Sequence, residues 1–145
     1  MTTTAFTAKV RILNFFRNVF RIPVLEQGLR KLTINKDPNQ FICKLVPNPS
    51  QYPTPSYRTF VLESVRLTVD ISDYIGHYYY FGFRDYSHDH LFALCRPNFI
   101  VFDVGANIGF TACRMSQIAK EGKVFAFEPD PYNYSQCLRN LNQNE

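Results

Sequence analysis

Two acidic residues and two glycines in the last third of the chain have the spacing of a nucleotide-cofactor site. Asp103 and Gly105 open the segment D-V-G-A-N-I-G, which ends at Gly109, and Glu128 follows 19 residues later. The glycines permit a tight turn and a close approach of the backbone to a ligand. The N–H groups of the loop can donate to polar ligand atoms. A carboxylate at the end of the next strand can accept from both hydroxyls of a ribose.

The acidic start of the loop discriminates between cofactors. Asp103 stands where the dinucleotide fingerprint G-x-G-x-x-G has its first glycine. A carboxylate there would repel a pyrophosphate, whereas it would attract the sulfonium and ammonium groups of S-adenosylmethionine. The sequence therefore predicts S-adenosylmethionine as the cofactor. A nicotinamide-dependent oxidoreductase, whose ribose Glu128 would also fit, stays open, as does a non-enzymatic remnant or interaction module that uses its N-terminal helix.

Three stretches of the chain form a set: V-F-D-V-G-A-N-I-G-F-T, V-F-A-F-E-P-D-P-Y-N and, upstream, D-Y-I-G-H-Y-Y-Y-F-G from Asp73 to Gly82. Together they resemble the FkbM-type family of class I S-adenosylmethionine-dependent methyltransferases, over about residues 65–142. The resemblance implies O-methylation of a hydroxyl on a sugar, lipid-linked or secondary-metabolite substrate. It also implies cofactor contacts from Asp103, Gly105, Ala106, Asn107, Gly109, Glu128 and Pro129. It assigns no catalytic base.

Alternating strands and helices must position these residues. The apolar run Phe99–Phe102 and the run Val124–Phe127 predict strands buried on both faces of a parallel sheet, with a helix over 110–119 between them. Asp130 and Pro131 are an N-cap and first-turn pair for a further helix. The expected inner stripe of that helix consists of Tyr134, Leu138 and Leu141. The predicted fold class is therefore α/β, an incomplete Rossmann-like methyltransferase sheet, and we expect the chain to be the N-terminal part of a longer enzyme.

The patterns upstream are shorter. Residues 41–46 predict a strand, and residues 47–56, with four prolines, predict an extended loop. Alternation from Val65 to Ile71 predicts a half-buried antiparallel strand. Residues 85–96 predict a short helix, while the aromatic stretch 74–83 fits either packing or a pocket wall.

The N-terminus is basic and amphipathic. Residues 9–22 predict a helix that Pro23 ends. Its apolar stripe consists of Ile12, Phe15, Phe16, Val19 and Phe20. Residues 1–36 contain seven Lys and Arg against Glu26 alone, a net charge of 7 − 1 = +6. The helix could pack on the domain, lie on an anionic membrane surface or act as a targeting segment. Because this charge lies far from the glycine loop, no nucleic-acid partner is expected.

The sequence thus divides into a basic helical segment (1–34), an accessory strand and helix region (35–98) and the start of a methyltransferase domain (99–145). A cytoplasmic protein is expected, with peripheral membrane contact as the open alternative. Four widely spaced cysteines predict reduced thiols and no zinc site. Ser87–His90 predicts a solvated polar turn without a metal, and His77 predicts a packed or solvent-facing side chain.

Overall fold

The computed structural model describes residues 8–145, and side chains from residue 12 onward. The helices within this range are α1 (Ala8–Val19), α2 (Pro23–Thr33), α3 (Tyr74–Phe81), α4 (Tyr86–Leu94), α5 (Phe110–Ile118) and α6 (Pro131–Asn142). The strands are β1 (Tyr57–Leu62), β2 (Val65–Asp70), β3 (Ile100–Val104) and β4 (Lys123–Phe127). No helix in the described range is long and apolar enough to cross a bilayer. Residues 1–7 of the predicted segment 1–34 lie outside the described range, and the side chains of Lys9 and Arg11 lie outside the described side chains.

The strands pair in two small sheets. β1 and β2 form an antiparallel hairpin in which Tyr57 pairs with Asp70. β3 and β4 are parallel, with Ile100 opposite Lys123, and α5 connects them. The predicted α/β arrangement behind an antiparallel region is therefore confirmed. The predicted cap of α6 is confirmed too, since the Asp130 side chain accepts from the backbone N–H of Asn133.

The strand predicted over 41–46 is wrong. Residues Phe41–Leu45 form a 3-10 helix, in which Cys43 is buried while Phe41 and Lys44 are exposed. Val46, three residues after Cys43, is buried as well. Burial every third residue matches a 3-10 helix and not the two-residue period of a strand. A run of six residues is too short for its periodicity to separate the two.

The aromatic stretch 74–83 is largely helical. Strand β1, which lies further upstream, has no counterpart among the sequence predictions. Asp73 caps the first turn of α3 by accepting from the N–H groups of Ile75 and Gly76, and Gly82 ends the helix in the left-handed conformation. Tyr80 and Phe81 point into the core, which β2, α2, α3 and α5 build together. Its main members are Leu29, Val46, Phe60, Val65, Leu67, Val69, Ile71, Tyr80, Phe81, Ile108 and Phe110.

Burial of β3 and β4 on both faces is also wrong. Alternate side chains of both strands lie on an open face, where Phe102 is 63% and Val104 is 81% exposed. Phe102 stacks on Phe125 of the neighbouring strand with ring centroids 5.4 Å apart. The opposite face is half-buried and includes Asp103. Parallel strands normally carry helices on both faces, and the side chains on both faces are therefore apolar. Because no described element covers this face, its apolar side chains are exposed.

Three side-chain amides of α6 and the residues after it hold the edge of β2. Asn144 and Asn140 accept from the backbone N–H groups of Arg66 and Thr68, each at 2.8 Å, and Gln136 accepts from the N–H of Asp70 at 3.4 Å. We call this set the amide ladder: Gln136, Asn140 and Asn144. Its four-residue spacing places it on one side of the helix. The predicted inner stripe is wrong at Tyr134 and Leu138, which are exposed, while Leu141 packs against the core as predicted.

Asn140 is the ladder residue whose loss should cost most. It is fully buried, and its Nδ2 also donates to the carbonyl of Ile108 at 2.8 Å. Asn140→Ala leaves two buried backbone groups unpaired and should lower the free energy of unfolding by about 2–4 kcal/mol. Asn142→Ala, on the exposed side of the same helix, should change it by less than about 0.5 kcal/mol. Urea denaturation of both variants measures the difference; equal stabilities would contradict the ladder.

His77 is packed in the core. Its Nε2 lies 2.7 Å from the carbonyl oxygen of Pro47, and its ring lies 4.8 Å from that of Phe81. Burial lowers its pKa from 6.5 to about 4, because desolvation outweighs the hydrogen bond to Pro47. The native imidazole is therefore neutral near pH 7, and Nε2 donates its proton to the carbonyl.

This depressed pKa makes stability depend on pH. Between pH 6.5 and 4 the unfolded chain binds a proton at His77 that the folded chain does not. The stabilisation is present above pH 6.5 and should fall by about 3 kcal/mol as the pH is lowered to about 4. Denaturant titrations across this range should show the loss in wild type and in His90→Gln, whose imidazole is exposed. His77→Gln should lack it; an unchanged slope in that variant would exclude His77 as the source.

Candidate functional site

The predicted loop connects β3 to α5 and contains a run of left-handed residues. Gly105 and Gly109 have φ of +88° and +84°, and Asn107 has φ of +48°. A Cβ at Gly109 would lie 3.0 Å from Sγ of Cys137 in α6, so a side chain there would also collide. A Cβ at Gly105 would meet no described atom within 4 Å. Gly109 thus lets the loop pack on α6, while Gly105 faces open space.

The backbone N–H groups of this loop are already bonded. Those of Gly105 and Ala106 donate to the carbonyl of Phe127 at 2.9 and 3.0 Å, and that of Gly109 donates to the carbonyl of Ala106. The N–H of Asn107 donates to Oε2 of Glu128 at 2.8 Å. These four groups therefore already have acceptors in the fold, and the predicted cofactor contacts of Gly105, Ala106, Asn107 and Gly109 stay a prediction. Those of Gly105, Ala106 and Asn107 hold the loop against the end of β4 and Glu128, and that of Gly109 closes the loop on itself.

Glu128 joins the loop to the start of α6. Its second oxygen, Oε1, accepts from the backbone N–H of Asp130 at 2.9 Å. Each carboxylate oxygen has a further lone pair that can accept from a ligand, and the side chain is half-buried beside the exposed Pro129. The structure brings Glu128 to the loop as predicted from its spacing, and its role with a ribose stays a prediction.

Two buried carboxylates differ sharply in their surroundings. Asp70 accepts from the backbone N–H groups of Ser56 and Ser72, from the Ser72 hydroxyl and from the Tyr132 hydroxyl, at 2.7–2.9 Å. Burial opposes its ionisation, but these hydrogen bonds together lower the pKa of Asp70 below its ordinary value. Asp70 is thus a satisfied structural carboxylate.

One carboxylate oxygen of Asp103 lacks such partners. Its Oδ2 is buried, and no donor among the described residues reaches it; the same holds for Oδ1 of Asn107. Burial raises the pKa of Asp103, only partly opposed by the backbone N–H of Ala112 and by nearby His88. Buried polar atoms in native proteins are nearly always hydrogen-bonded. Two buried oxygens beside the same loop are therefore available to donors from a ligand or from water.

A cavity of about 540 Å³ lies beside the loop. One wall is formed by the loop from Gly105 to Ile108, and the other by aromatic side chains of α3 and α4. The facing side chains are Tyr74, Tyr78, Tyr79, Asp85 and His88. Its volume lies within the range of about 300–1,000 Å³ that is typical of small-molecule sites. The aromatic stretch 74–83, for which the sequence allowed either role, thus contributes both to the core and to a pocket wall.

His88 is the residue of this wall that sequence analysis missed. The expected polar turn at Ser87–His90 is wrong, because these residues lie in α4. The His88 ring stacks on Tyr79 at 6.0 Å, and its Nδ1 lies 3.9 Å from Oδ2 of Asp85. The sequence signal that could have identified His88 is its position three residues after Asp85, at the start of the helix predicted over 85–96. An imidazole here can exchange a proton with a bound ligand. The described residues contain no cluster that could hold a metal ion.

Comparison with known proteins supports the fold. Neither a protein-family model nor a curated protein sequence matches the chain. Among solved structures, M. jannaschii TYW2 in complex with AdoMet aligns with a TM-score of 0.50 and 16% identity, over 64% of this chain and 41% of that one. PH0793 from Pyrococcus horikoshii, provisionally named a transferase, aligns with a TM-score of 0.53 and 15% identity, over 92% of this chain and 45% of that one.

At these identities the likeness concerns the fold alone, and it confirms the predicted Rossmann-like class. The chain spans less than half the length of either protein. Membership of the FkbM-type family stays a prediction.

Proposed function

We propose that the chain binds S-adenosylmethionine at the glycine loop and forms part of a methyltransferase. The acceptor in this proposal is a hydroxyl on a sugar, lipid-linked or secondary-metabolite substrate, as the FkbM-type resemblance implies. The observation that carries the proposal is the buried Oδ2 of Asp103, which has no donor among residues 8–145. A carboxylate in that state is best compensated by a cationic ligand.

The loop lines the cavity, while Asp103 and Glu128 adjoin the loop outside the cavity lining and carry the acceptors that this cofactor needs. Asp103 would accept from its ammonium group, and the free lone pairs of Glu128 would accept from its ribose. Gly105 leaves space on the cavity side of the loop. The fold is shared with M. jannaschii TYW2, which was solved in complex with AdoMet. A dinucleotide is disfavoured, since its pyrophosphate would approach Asp103 and would find four of the loop N–H groups already bonded.

Within this proposal each part of the site has a task. The bound cofactor supplies an activated methyl group. The loop and Glu128 hold the adenosine portion in a fixed orientation, and alignment of the reacting groups provides much of the rate enhancement in transfer reactions. The side chains of Tyr74, Tyr78 and Tyr79 would contact the ligand from the opposite wall of the cavity.

Asp103→Asn should separate the amino-acid end of the cofactor from its nucleoside end. The variant should bind S-adenosylmethionine about tenfold or more weakly, because a hydrogen bond between charged groups is lost. It should bind 5′-methylthioadenosine, which lacks the amino-acid group, as wild type does. Because burial raises the pKa of Asp103, the affinity of wild type for S-adenosylmethionine should fall as the pH is lowered, and the variant should lack this dependence. Isothermal titration calorimetry measures all three effects.

The matched control is Asp89→Asn, which alters an exposed carboxylate on α4 that pairs with Arg84. It should bind both ligands like wild type. Equal weakening of both ligands by Asp103→Asn would show that Asp103 only supports the loop. Saturable NADH binding by wild type, without S-adenosylmethionine binding, would replace the proposal by the nicotinamide alternative.

Glu128→Ala needs a different readout, since Glu128 also positions the loop through Asn107. A ribose contact predicts that wild type prefers S-adenosylhomocysteine to its 2′-deoxy analogue by about tenfold. The variant should bind the two compounds equally. If Glu128 acted only on the loop, the variant would bind both compounds more weakly and keep the preference of wild type.

A further inference from the structure

α1 is attached to the rest of the molecule by its polar side. Nε of Arg17 donates to the carbonyl of Lys44 at 2.8 Å. Nε2 of Gln51 donates to Oδ1 of Asn18 at 2.8 Å and lies 3.4 Å from the carbonyl of Asn14. A surface helix normally turns its apolar stripe to the core. Here amides and a guanidinium occupy the inner side instead.

The apolar stripe of α1 consequently faces outward. Phe15 is 69% and Phe16 is 54% exposed, and the two rings touch edge to face. We call this surface the α1 face: Ile12, Phe15, Phe16 and Val19, all of them exposed. Phe20 is the stripe residue that packs on the core. The helix thus packs on the domain through its polar side and Phe20, which leaves the rest of the stripe uncovered.

The surroundings of the α1 face are basic. Arg21 is exposed, with its guanidinium 5.8 Å from the ring centre of Tyr52, and Lys44 is exposed on the adjoining 3-10 helix. Glu26 is the one acidic residue of the sequence before Asp37. It is buried, where it pairs with Arg58 at 2.8 Å and accepts from the Tyr80 hydroxyl. Its charge is thus compensated inside the fold and does not offset the cations around the face.

We propose that the α1 face docks on an anionic lipid bilayer. Aromatic and aliphatic side chains on one side of a basic helix are the features by which helices lie in a membrane interface. Cationic residues beside them are attracted to anionic headgroups. A second copy of the chain is a poorer occupant, because two basic faces would repel each other. The proposal is independent of cofactor binding, so the two can fail separately.

Vesicle co-sedimentation tests the docking. Wild type should bind vesicles of phosphatidylcholine and phosphatidylserine and should bind pure phosphatidylcholine much more weakly, with added salt reducing the difference. Phe16→Glu should weaken binding about tenfold or more through loss of apolar burial. Arg21→Gln should weaken it about fivefold, the effect of one charge near the headgroups.

Phe102→Glu is the matched control, since it introduces the same charge at a phenylalanine of similar exposure on the open sheet face. It should bind anionic vesicles like wild type. Circular dichroism should show that all variants keep the wild-type helix content. Equal binding of Phe16→Glu and wild type would overturn the proposal, as would a larger loss in Phe102→Glu. Sedimentation of wild type as a dimer that Phe16→Glu dissociates, without vesicle binding, would identify a second copy as the occupant.

Discussion

The hydrogen bonds between the amide ladder and the edge of β2 fix the position of α6, and the glycine loop depends on that position. Asn140 bonds both to β2 and to the carbonyl of Ile108 inside the loop. Cys137, one turn earlier, lies against Gly109. The first turn of α6 also bonds Glu128. Because buried N–H and C=O groups must stay paired, α6 cannot shift without breaking bonds to the hairpin and the loop together. The accessory hairpin therefore contributes to the geometry of the site.

The parts of this arrangement that depend on local chemistry could be predicted from the sequence. The turn at Gly105 and Gly109, the acid at the end of each parallel strand and the cap at Asp130 are set by neighbouring residues. The 3-10 helix at Phe41–Leu45 and strand β1 could not be predicted, since tertiary contacts select among conformations that short apolar runs allow equally. The prediction that Ile100 and its neighbours are buried rests on the rule that helices cover both faces of parallel sheets. Their actual exposure depends on which elements cover this sheet, and a strand's own sequence does not specify those elements.

The outward apolar side of α1 and the wrongly predicted stripe residues of α6 have one physical cause. Hydrophobic periodicity gives the period of a helix, but it does not say which side meets the protein. In α6 the inner side carries amides because the helix docks on the exposed N–H groups of β2, and in α1 the guanidinium of Arg17 meets the carbonyl of Lys44 in a similar way. The carbonyl of Lys44 and the N–H groups of β2 require hydrogen-bond partners that apolar side chains cannot supply. A side chain with two hydrogen-bonding atoms, such as that of Asn144, can satisfy both the N–H and the C=O of one strand residue. Polar side chains at four-residue intervals are thus a signal for docking on a strand edge.

The contrast between Asp70 and Asp103 connects stability to ligand recognition. Both carboxylates are at least half-buried, yet Asp70 is satisfied by donors of the fold while Oδ2 of Asp103 has none in the described part of the chain. An orphaned buried acceptor costs about 1–3 kcal/mol, and replacement by an apolar residue would remove that cost. In the proposed site the same desolvation becomes useful, because a carboxylate stripped of water interacts more strongly with a cation than a solvated one does. The raised pKa of Asp103 follows from this desolvation as well. A cost in stability and, in the proposed site, a preference for a cationic ligand are therefore two expected consequences of one buried charge.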